Sequence, residues 1–238
     1  MTVASQYALP LFDPLRYWLE QLPARPDSAA VAELAEQFPI ATDSGKLLRF
    51  VPPQADGLAY ECRIWENGEV ETRPDNWHDF FNALVWFAFP LTKNAVSARH
   101  VGAMSGSGEP RGTVRDVLTH FDECGIAVLS DNPELLVLLR DFQWRQLFVE
   151  RRAEVERNMR FVVFGHATYE ALLQPYRGLT AKAVLYEVDR KWLQLPLEAQ
   201  IAAVDKLLAS DFASGHFARP RDFQPLPLLG IPGVVPEN

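Results

Sequence analysis

The sequence predicts an α+β fold in which a small mixed or antiparallel sheet packs against several helices. The chain has no internal repeat and no low-complexity linker, so residues 1–238 are expected to form a single globular domain. Hydrophobic residues make up 48% of the chain and charged residues 23%, which is the balance of a protein that buries a core. Segments with the apolar spacing of helices alternate with short apolar runs typical of buried strands, and this mixture indicates both kinds of element.

The N-terminal part of the chain predicts two short helices, one strand and a β-hairpin. The helices are expected at 13–21 and 28–38, and Pro39 ends the second. Residues 47–51 have the composition of a strand. The hairpin is expected near 58–72, because an Asn-Gly pair between two apolar runs favours a tight turn.

The rest of the chain predicts mostly helices, with three buried strands near 126–129, 161–164 and 183–188. Helices are expected over 77–89, 91–101, 113–121, 166–173 and 197–209, and another extends from about 133, with a break, to 157. A loop is expected over 104–112. The Pro-rich segment 219–238 is expected to be extended and packed on the body, because apolar residues separate its prolines.

Composition limits the classes of partner. A net charge of −8 argues against general nucleic-acid binding, since phosphate affinity comes mainly from clustered Lys and Arg. The N-terminus lacks the pattern of a signal peptide, and the longest apolar stretch, 80–89, is too short to span a membrane. A soluble cytoplasmic protein with a small-molecule ligand is therefore expected, its oligomeric state left open. Cys62 and Cys124 fit no zinc-binding spacing and are expected to be buried free thiols.

The helix predicted over 77–89 is apolar on almost every side, so its few polar residues are informative. After the N-cap they are His78, Asp79 and Asn82, which share one face. Burying such groups without partners costs roughly 1–3 kcal/mol each, so they are expected to face partners, water or a ligand. The alternative is structural: Asp79 complements the helix dipole, and His78 is a hydrogen-bonded core histidine.

The next helix carries a second polar stripe. Lys93, Ser97 and His100 lie at i, i+4 and i+7, again on one face. Pro90 is expected to kink the junction of the two helices, so the two stripes could line one cleft. For Lys93 alone, an exposed surface lysine is the alternative.

A third group of polar residues surrounds the end of the helix predicted over 113–121. Arg115 lies on this helix, and Asp122 and Glu123 are expected just past its end, before a buried strand. Adjacent carboxylates at such a place could ligate a metal or act as a general base. The alternative is a turn whose carboxylates pair with Arg115.

A fourth group follows the strand near 161–164. Gly165 lets the backbone turn tightly and approach another group, and His166 lies at a helix start, where the dipole favours its neutral form. Glu170 is one turn further on the same face, so the two side chains could supply metal ligands. An ordinary hydrogen bond of His166 is the alternative. Lys182, which leads into the next strand, could reach the edge of a ligand.

Three blocks of the sequence, together with YECRI (60–64), have a familiar pattern. They are NWHDFFNALVWFAFPLTKNAVSARH (76–100), RDVLTHFDECG (115–125) and FGHATYEALLQPYRGLTAKA (164–183). The pattern resembles a bacterial family catalogued only as domain of unknown function 3025, and it covers most of the chain from about 47 to 190. The resemblance implies that the polar blocks are hallmarks of that family, but it brings no activity with it.

The favoured hypothesis is an enzyme with a histidine and carboxylate site, a metal-dependent hydrolase that uses a divalent metal such as Zn, Mn or Fe. The candidate metal ligands are His78, His100, Asp122 and His166. The candidate catalytic carboxylates are Asp79, Glu123 and Glu170. The candidate ligand-binding residues are Asn82, Lys93, Arg115 and Lys182. Two alternatives remain open: a metal-free pocket for a small anionic ligand, and a structural or interaction protein without catalysis.

Overall fold

The fold is described by a computed structural model that covers residues 7–23, 25–104 and 111–235. A four-stranded sheet and a separate two-stranded sheet lie among a larger number of helices, which confirms the predicted α+β class. The strands are β1 (Arg49–Val51), β2 (Glu69–Glu71), β3 (Gly125–Ser130), β4 (Met159–Val163), β5 (Thr180–Glu187) and β6 (Gln224–Pro227). The helices are α1 (Arg16–Leu19), α2 (Ser28–Gln37), α3 (Tyr60–Asn67), α4 (Trp77–Ala88), α5 (Pro90–Met104), α6 (Arg111–Cys124), α7 (Pro133–Arg140), α8 (Arg152–Asn158), α9 (His166–Leu172), α10 (Arg190–Leu193) and α11 (Leu197–Ser214).

The larger sheet is mixed and has the strand order β4-β3-β5-β6. The central strand β3 pairs antiparallel with β4 and parallel with β5, so that Ile126 lies between Val163 and Ala183. All six residues of β3 are buried, as expected for a strand covered on both faces. The three strands predicted for the second half of the chain are confirmed, with β5 beginning three residues early at Thr180.

The β-hairpin predicted near 58–72 is wrong. Tyr60–Asn67 is the helix α3, and Gly68 ends it with a φ of 70°, donating its N–H to carbonyls of the last turn. The chain then enters β2, which pairs parallel with β1. An Asn-Gly pair indicates a residue with positive φ, and the C-terminus of a helix requires this as much as a hairpin turn does.

Helix α6 is longer than predicted at both ends. It extends to Cys124, so Asp122 and Glu123 lie in its last turn rather than past its end. The loop expected over 104–112 is shorter within the described residues, because α5 includes Met104 and α6 begins at Arg111. Residues 105–110 lie outside the described part of the chain.

The expected break in the helical segment after 133 is present. Helix α7 ends at Arg140, a π-helical turn occupies Gln146–Glu150, and α8 follows. In the C-terminal tail, β6 joins the sheet beside β5, and buried apolar side chains such as Leu226 and Ile231 pack on the body. Residues 236–238 of the predicted tail lie outside the described residues.

Helix α4 is the buried helix that the sequence predicts. The Asn76 side chain accepts a hydrogen bond from the Asp79 N–H (2.9 Å) and caps its first turn. Behind the helix, the rings of Phe12, Phe81 and Tyr169 contact one another with centroids 5.6–6.0 Å apart. The fully buried Phe12 of the N-terminal segment thus packs against both α4 and α9.

Two further expectations concern the membrane and the cysteines. Within the described residues, no helix combines the length and apolar character needed to cross a membrane. Cys62 and Cys124 are free, as expected, but both are half-buried rather than buried.

Candidate functional site

A polar cleft of about 480 Å³ opens where helices α3, α4, α5 and α6 and the start of α9 meet. The two polar stripes predicted on neighbouring helices do meet here, since His78, Asp79 and Asn82 of α4 and His100 of α5 share the cleft. The described residues that line it are Pro53, Tyr60, Glu61, Glu71, Arg73, His78, Asp79, Asn82, His100, Thr119, Asp122, Glu123 and His166.

Two histidines and one carboxylate converge at one end of the cleft. His78 Nε2 lies 3.0 Å from His166 Nε2. The oxygens of Glu123 lie 3.9 Å from His78 Nε2 and 3.6 Å from His166 Nε2. Within the described ranges, this is the one group of three His, Cys, Asp or Glu side chains close enough to share an ion. Donor atoms about 2.1 Å from one ion are at most about 4.2 Å apart, so each separation is short enough for a shared metal, with His78 nearer to Glu123 Oε1 and His166 nearer to Oε2.

A second carboxylate lies near the other ring nitrogen, Nδ1, of each of these histidines. His78 Nδ1 lies 3.4 Å from Glu170 Oε2, and His166 Nδ1 lies 3.7 Å from Asp122 Oδ2. The His166 contact is not a hydrogen bond, but a carboxylate near Nδ1 favours a proton there by its charge, as in many metal-binding histidines. In that tautomer both Nε2 atoms would present lone pairs toward each other and toward Glu123, whereas in the other tautomer of either ring one Nε2 donates a hydrogen bond to its partner.

His166 is the most deeply buried member of the group, at 4% exposure. Burial lowers its pKa to about 3, so the imidazole is neutral at pH 7. The sequence predicts the same neutral form from the helix dipole, but the main physical cause is desolvation. His166 Nδ1 makes no hydrogen bond with any described residue. Burial also raises the pKa of Glu123.

A close backbone contact brings His166 to Glu123. Gly165, just before α9, donates its N–H to Gly125 O (2.8 Å), where α6 passes into β3. A Cβ atom on Gly165 would lie 2.5 Å from Glu123 O, so only glycine fits without moving the backbone. The close approach expected of Gly165 therefore occurs, and its partner is the last turn of α6.

Lys93 is buried at 4% exposure, so the alternative of a surface lysine is wrong. Its Nζ donates to both oxygens of Asp122 (2.7 and 2.9 Å) and to Asn82 Oδ1 (2.9 Å). Asp122 thus pairs with Lys93, not with Arg115. Burial alone would raise the pKa of Asp122, but the charge and hydrogen bonds of Lys93 outweigh it and keep the pKa low.

Asp79 is engaged by Arg73, a cleft residue that sequence reasoning missed. The guanidinium makes two hydrogen bonds of 2.8 Å to the carboxylate, and the Arg73 N–H makes a third. Burial acts to raise the pKa of Asp79, but these contacts lower it overall. A sequence signal was available, because Arg73 precedes the helix cap closely enough to reach a first-turn carboxylate.

Tyr60 and Glu61 were missed because their segment was expected to be a strand. As part of α3 they face the polar stripes: Asn82 Nδ2 donates to the Tyr60 hydroxyl (2.8 Å), and Ser97 Oγ donates to Glu61 (3.0 Å). Burial, followed by the charge of Asp122, raises the pKa of Glu61 to about 7.

The remaining candidates do not join the histidine group. His100 lines the cleft, and burial lowers its pKa to about 4, but it lies outside the three-residue cluster. Arg115 is exposed on α6 and is not among the lining residues. Lys182 lies on β5 beside Gly125, also away from the cleft lining. Glu170 lies close to His78 but is not one of the three clustered side chains.

Comparison with known proteins gives one match. The family described as protein of unknown function (DUF3025) matches residues 48–238, a range that contains every lining residue of the cleft. No curated protein and no solved structure matches the chain.

Proposed function

The chain belongs to this family of unknown function, so we propose its function from the cleft itself: a metal-dependent hydrolase whose divalent ion is held by His78, Glu123 and His166. Zn, Mn and Fe are the ions that such a donor set suits. In this proposal Asp122 orients His166 rather than binding the metal, and His100 forms part of the cleft wall.

The facing Nε2 atoms of His78 and His166 carry the proposal. Both Nδ1 atoms face carboxylates, so both protons are drawn to the Nδ1 side. Two lone pairs 3.0 Å apart repel each other unless something positive lies between them. A metal ion satisfies both nitrogens and the Glu123 carboxylate at once.

A proton can take the same place. His78 as an imidazolium would donate one N–H to Glu170 and the other to His166, and no metal would be needed. Two neutral imidazoles, one with its proton on Nε2, would also make this hydrogen bond without a metal. Both arrangements suit the alternative of a structural or interaction protein. The metal-bound and the metal-free arrangements differ in the metal content of the protein, which can be measured directly.

The charge of the cleft supports a cation over a small anionic ligand. Its described lining contains five carboxylates and one cation, Arg73. Three of the carboxylates are paired, Asp79 with Arg73, Asp122 with Lys93 and Glu71 with Arg63, which leaves Glu61 and Glu123 as the charges without an ion-pair partner. An anion entering the cleft would therefore meet mainly negative charge.

The proposed ion would lower the pKa of a bound water to about 7 and polarise a carbonyl or phosphoryl oxygen of the substrate. The charges of Glu170 and Asp122 would favour protons on the two Nδ1 atoms and so favour the ligating tautomer of both imidazoles. Lys93 would keep Asp122 ionised for that task. Of the carboxylates expected to be catalytic, Glu123 then acts as a ligand, Glu170 orients His78, and Asp79 fixes Arg73.

Metal analysis tests the proposal. Protein purified without a histidine tag is expected to hold about one equivalent of metal, and His78→Ala is expected to lose it. His120→Ala, which removes an exposed histidine of α6, is the matched control and should keep the metal. Less than about one-tenth of an equivalent, with no thermal shift on adding Zn, Mn or Fe, would overturn the metal site.

Hydrolysis is tested separately with the metal-loaded protein. Nitrophenyl esters, amides and phosphodiesters make a suitable panel, and metal-dependent turnover of at least one is expected to disappear in His78→Ala. Stoichiometric metal without turnover of any of them would contradict the hydrolase and leave only the metal site.

A further inference from the structure

One carboxylate of the cleft, Glu61, has neither a cationic partner nor a histidine within ion-pair distance among the described residues. Glu61 accepts a hydrogen bond from Ser97 Oγ (3.0 Å), and no Lys, Arg or His of the described chain lies within salt-bridge distance of it. The other carboxylates of the lining are engaged: Glu71 pairs with Arg63, Asp79 with Arg73, Asp122 with Lys93, and Glu123 faces the two histidines.

The groups around Glu61 do not supply the missing charge. Tyr60, Thr119 and Asn82 are neutral hydrogen-bonding side chains on the same cleft. His100 is neutral at pH 7, since burial lowers its pKa to about 4. The charges of Lys93 and Arg115 act on Glu61, but Lys93 is paired with Asp122, Arg115 is exposed, and neither forms an ion pair with Glu61.

An unpaired carboxylate beside a cavity of this size is suited to bind a cation from outside. A volume of about 480 Å³ holds a small organic molecule. An ammonium or guanidinium group at Glu61 would make a charge-assisted hydrogen bond in partly desolvated surroundings, where such bonds are strongest. The raised pKa of Glu61 agrees with a carboxylate that lacks its counterion.

We infer that the cleft takes substrates that carry a cationic nitrogen, an ammonium or guanidinium group that binds Glu61 while the bond to be cleaved reaches His78, Glu123 and His166. The preference for a cation rests on the charges of the cleft alone. The cleavage of the bound molecule rests on the proposed hydrolase.

Three probes of similar shape and different charge test the preference: benzylamine, benzyl alcohol and benzoate, titrated into the full chain and followed by NMR shifts. Benzylamine is expected to bind at least about tenfold more tightly than benzyl alcohol, since a hydrogen bond to a charged group contributes more than a neutral one. Glu61→Gln is expected to remove this advantage while keeping the contact with Ser97. Glu66→Gln, an exposed carboxylate on the same helix α3, should leave it unchanged.

Equal binding of the three probes, or an unchanged preference in Glu61→Gln, would overturn the inference. If Glu61→Gln does not fold, binding of the three probes is compared between the wild type and Glu61→Asp. The shorter carboxylate should retain a weakened preference for benzylamine. His78→Ala separates this inference from the metal site, since it should lose metal and still prefer benzylamine. Metal loading without amine preference overturns only the inference, and amine preference without metal overturns only the proposed function.

Discussion

Two polar clusters adjoin the same cleft, and they differ in how their buried polar groups are paired. In the first, the Arg63 guanidinium, 2% exposed, is surrounded by Asp56, Glu69 and Glu71 and pairs with all three. In the second, His78 and His166 direct two nitrogens at each other, and His166 Nδ1 makes no hydrogen bond with a described residue. The first cluster is neutralised internally by ion pairs and joins β2 and α3 to the loop after β1. One atom in it, the buried Arg63 Nε, lies 3.0 Å from Glu71 without making a hydrogen bond. In the second, the two facing nitrogens share a hydrogen bond when one of them carries a proton, and the proposed metal ion would take the place of that proton.

Under the proposed function, this difference separates a structural cluster from a functional one. Buried polar groups are normally paired, and a cluster whose charges are all paired internally has no need of a ligand. A cluster with unpaired polar groups destabilises the ligand-free protein. Such a cluster is retained only where ligand binding serves a function. The comparison predicts opposite responses to substitution in the two regions.

The largest effect is expected from Arg63→Met. This change leaves three carboxylates close together without their cation, so the melting temperature should fall by about 10 °C. Arg49→Met is the control, because Arg49 pairs with the same Glu69 but is 62% exposed, and it should shift the melting temperature by less than about 2 °C. Equal shifts in the two variants would remove the distinction on which the comparison depends. Thermal unfolding followed by circular dichroism measures both.

Gly165→Ala is expected to follow, with a fall of about 5 °C, because its Cβ would lie 2.5 Å from Glu123 O. The same change should weaken metal binding, since it pushes His166 away from Glu123. Gly102→Ala in α5 is the control, where a Cβ meets no described atom within 4 Å, and it should be neutral or slightly stabilising. A Gly165→Ala protein with wild-type stability and metal content would contradict the role of this contact.

Glu61 predicts a pH dependence of stability. Its pKa is about 7 in the folded protein against 4.5 for the unfolded chain, so the folded state holds the proton longer as the pH rises. Stability from this group therefore falls between pH 4.5 and pH 7, and the penalty is constant above that range. The free energy of unfolding of the wild type relative to Glu61→Gln is expected to drop by about 1–2 kcal/mol from pH 5 to pH 8.

The comparison with Glu61→Gln is needed because buried neutral histidines act in the opposite direction in the same pH range. Burial lowers the pKa of His100 and His166, so their contribution to stability rises with pH through about 6.5, where the unfolded histidines lose their protons. Glu66→Gln should reproduce the wild-type profile. If the free energy of unfolding of Glu61→Gln followed the same pH dependence as the wild type, Glu61 would ionise normally.

The smallest effect on stability is expected from His166→Leu in the metal-free protein. Leucine removes the buried Nδ1, which makes no hydrogen bond, and Nε2, whose partner His78 is half-buried and able to bond water instead. The free energy of unfolding should therefore stay within about 1 kcal/mol of the wild type or rise. Metal binding should be lost at the same time. A loss of stability comparable to that of Arg63→Met would place both clusters in the structural class. Urea denaturation with and without chelator measures the difference.

The sequence predicts well those features that depend on local pattern. The apolar faces and the cap at Asn76 identify α4, and the short buried runs identify β3, β4 and β5. The Asn-Gly pair misleads because it specifies only a left-handed residue at Gly68, which ends a helix here instead of turning a hairpin. The error also removed Tyr60 and Glu61 from the expected site.

The site is only partly visible in the sequence, because its geometry depends on contacts between distant segments. The pattern identified His78, Glu123, His166 and Glu170 as polar residues in unusual places, but it assigned Asp122 to the metal and Glu123 to catalysis. Which of these adjacent carboxylates faces the histidines is decided by the rotation of the last turn of α6 and by Lys93 from α5. No local rule gives that rotation.

Phe12 shows that the boundary of the family and the boundary of the fold differ. The family match begins at residue 48, yet the buried ring of Phe12 contacts Phe81 and Tyr169 on the two helices that carry His78 and His166. A chain shortened to residues 48–238 would keep all three candidate ligands and lose the ring that supports both of their helices. The spacing of the two imidazoles therefore depends in part on a segment that lies outside the family match.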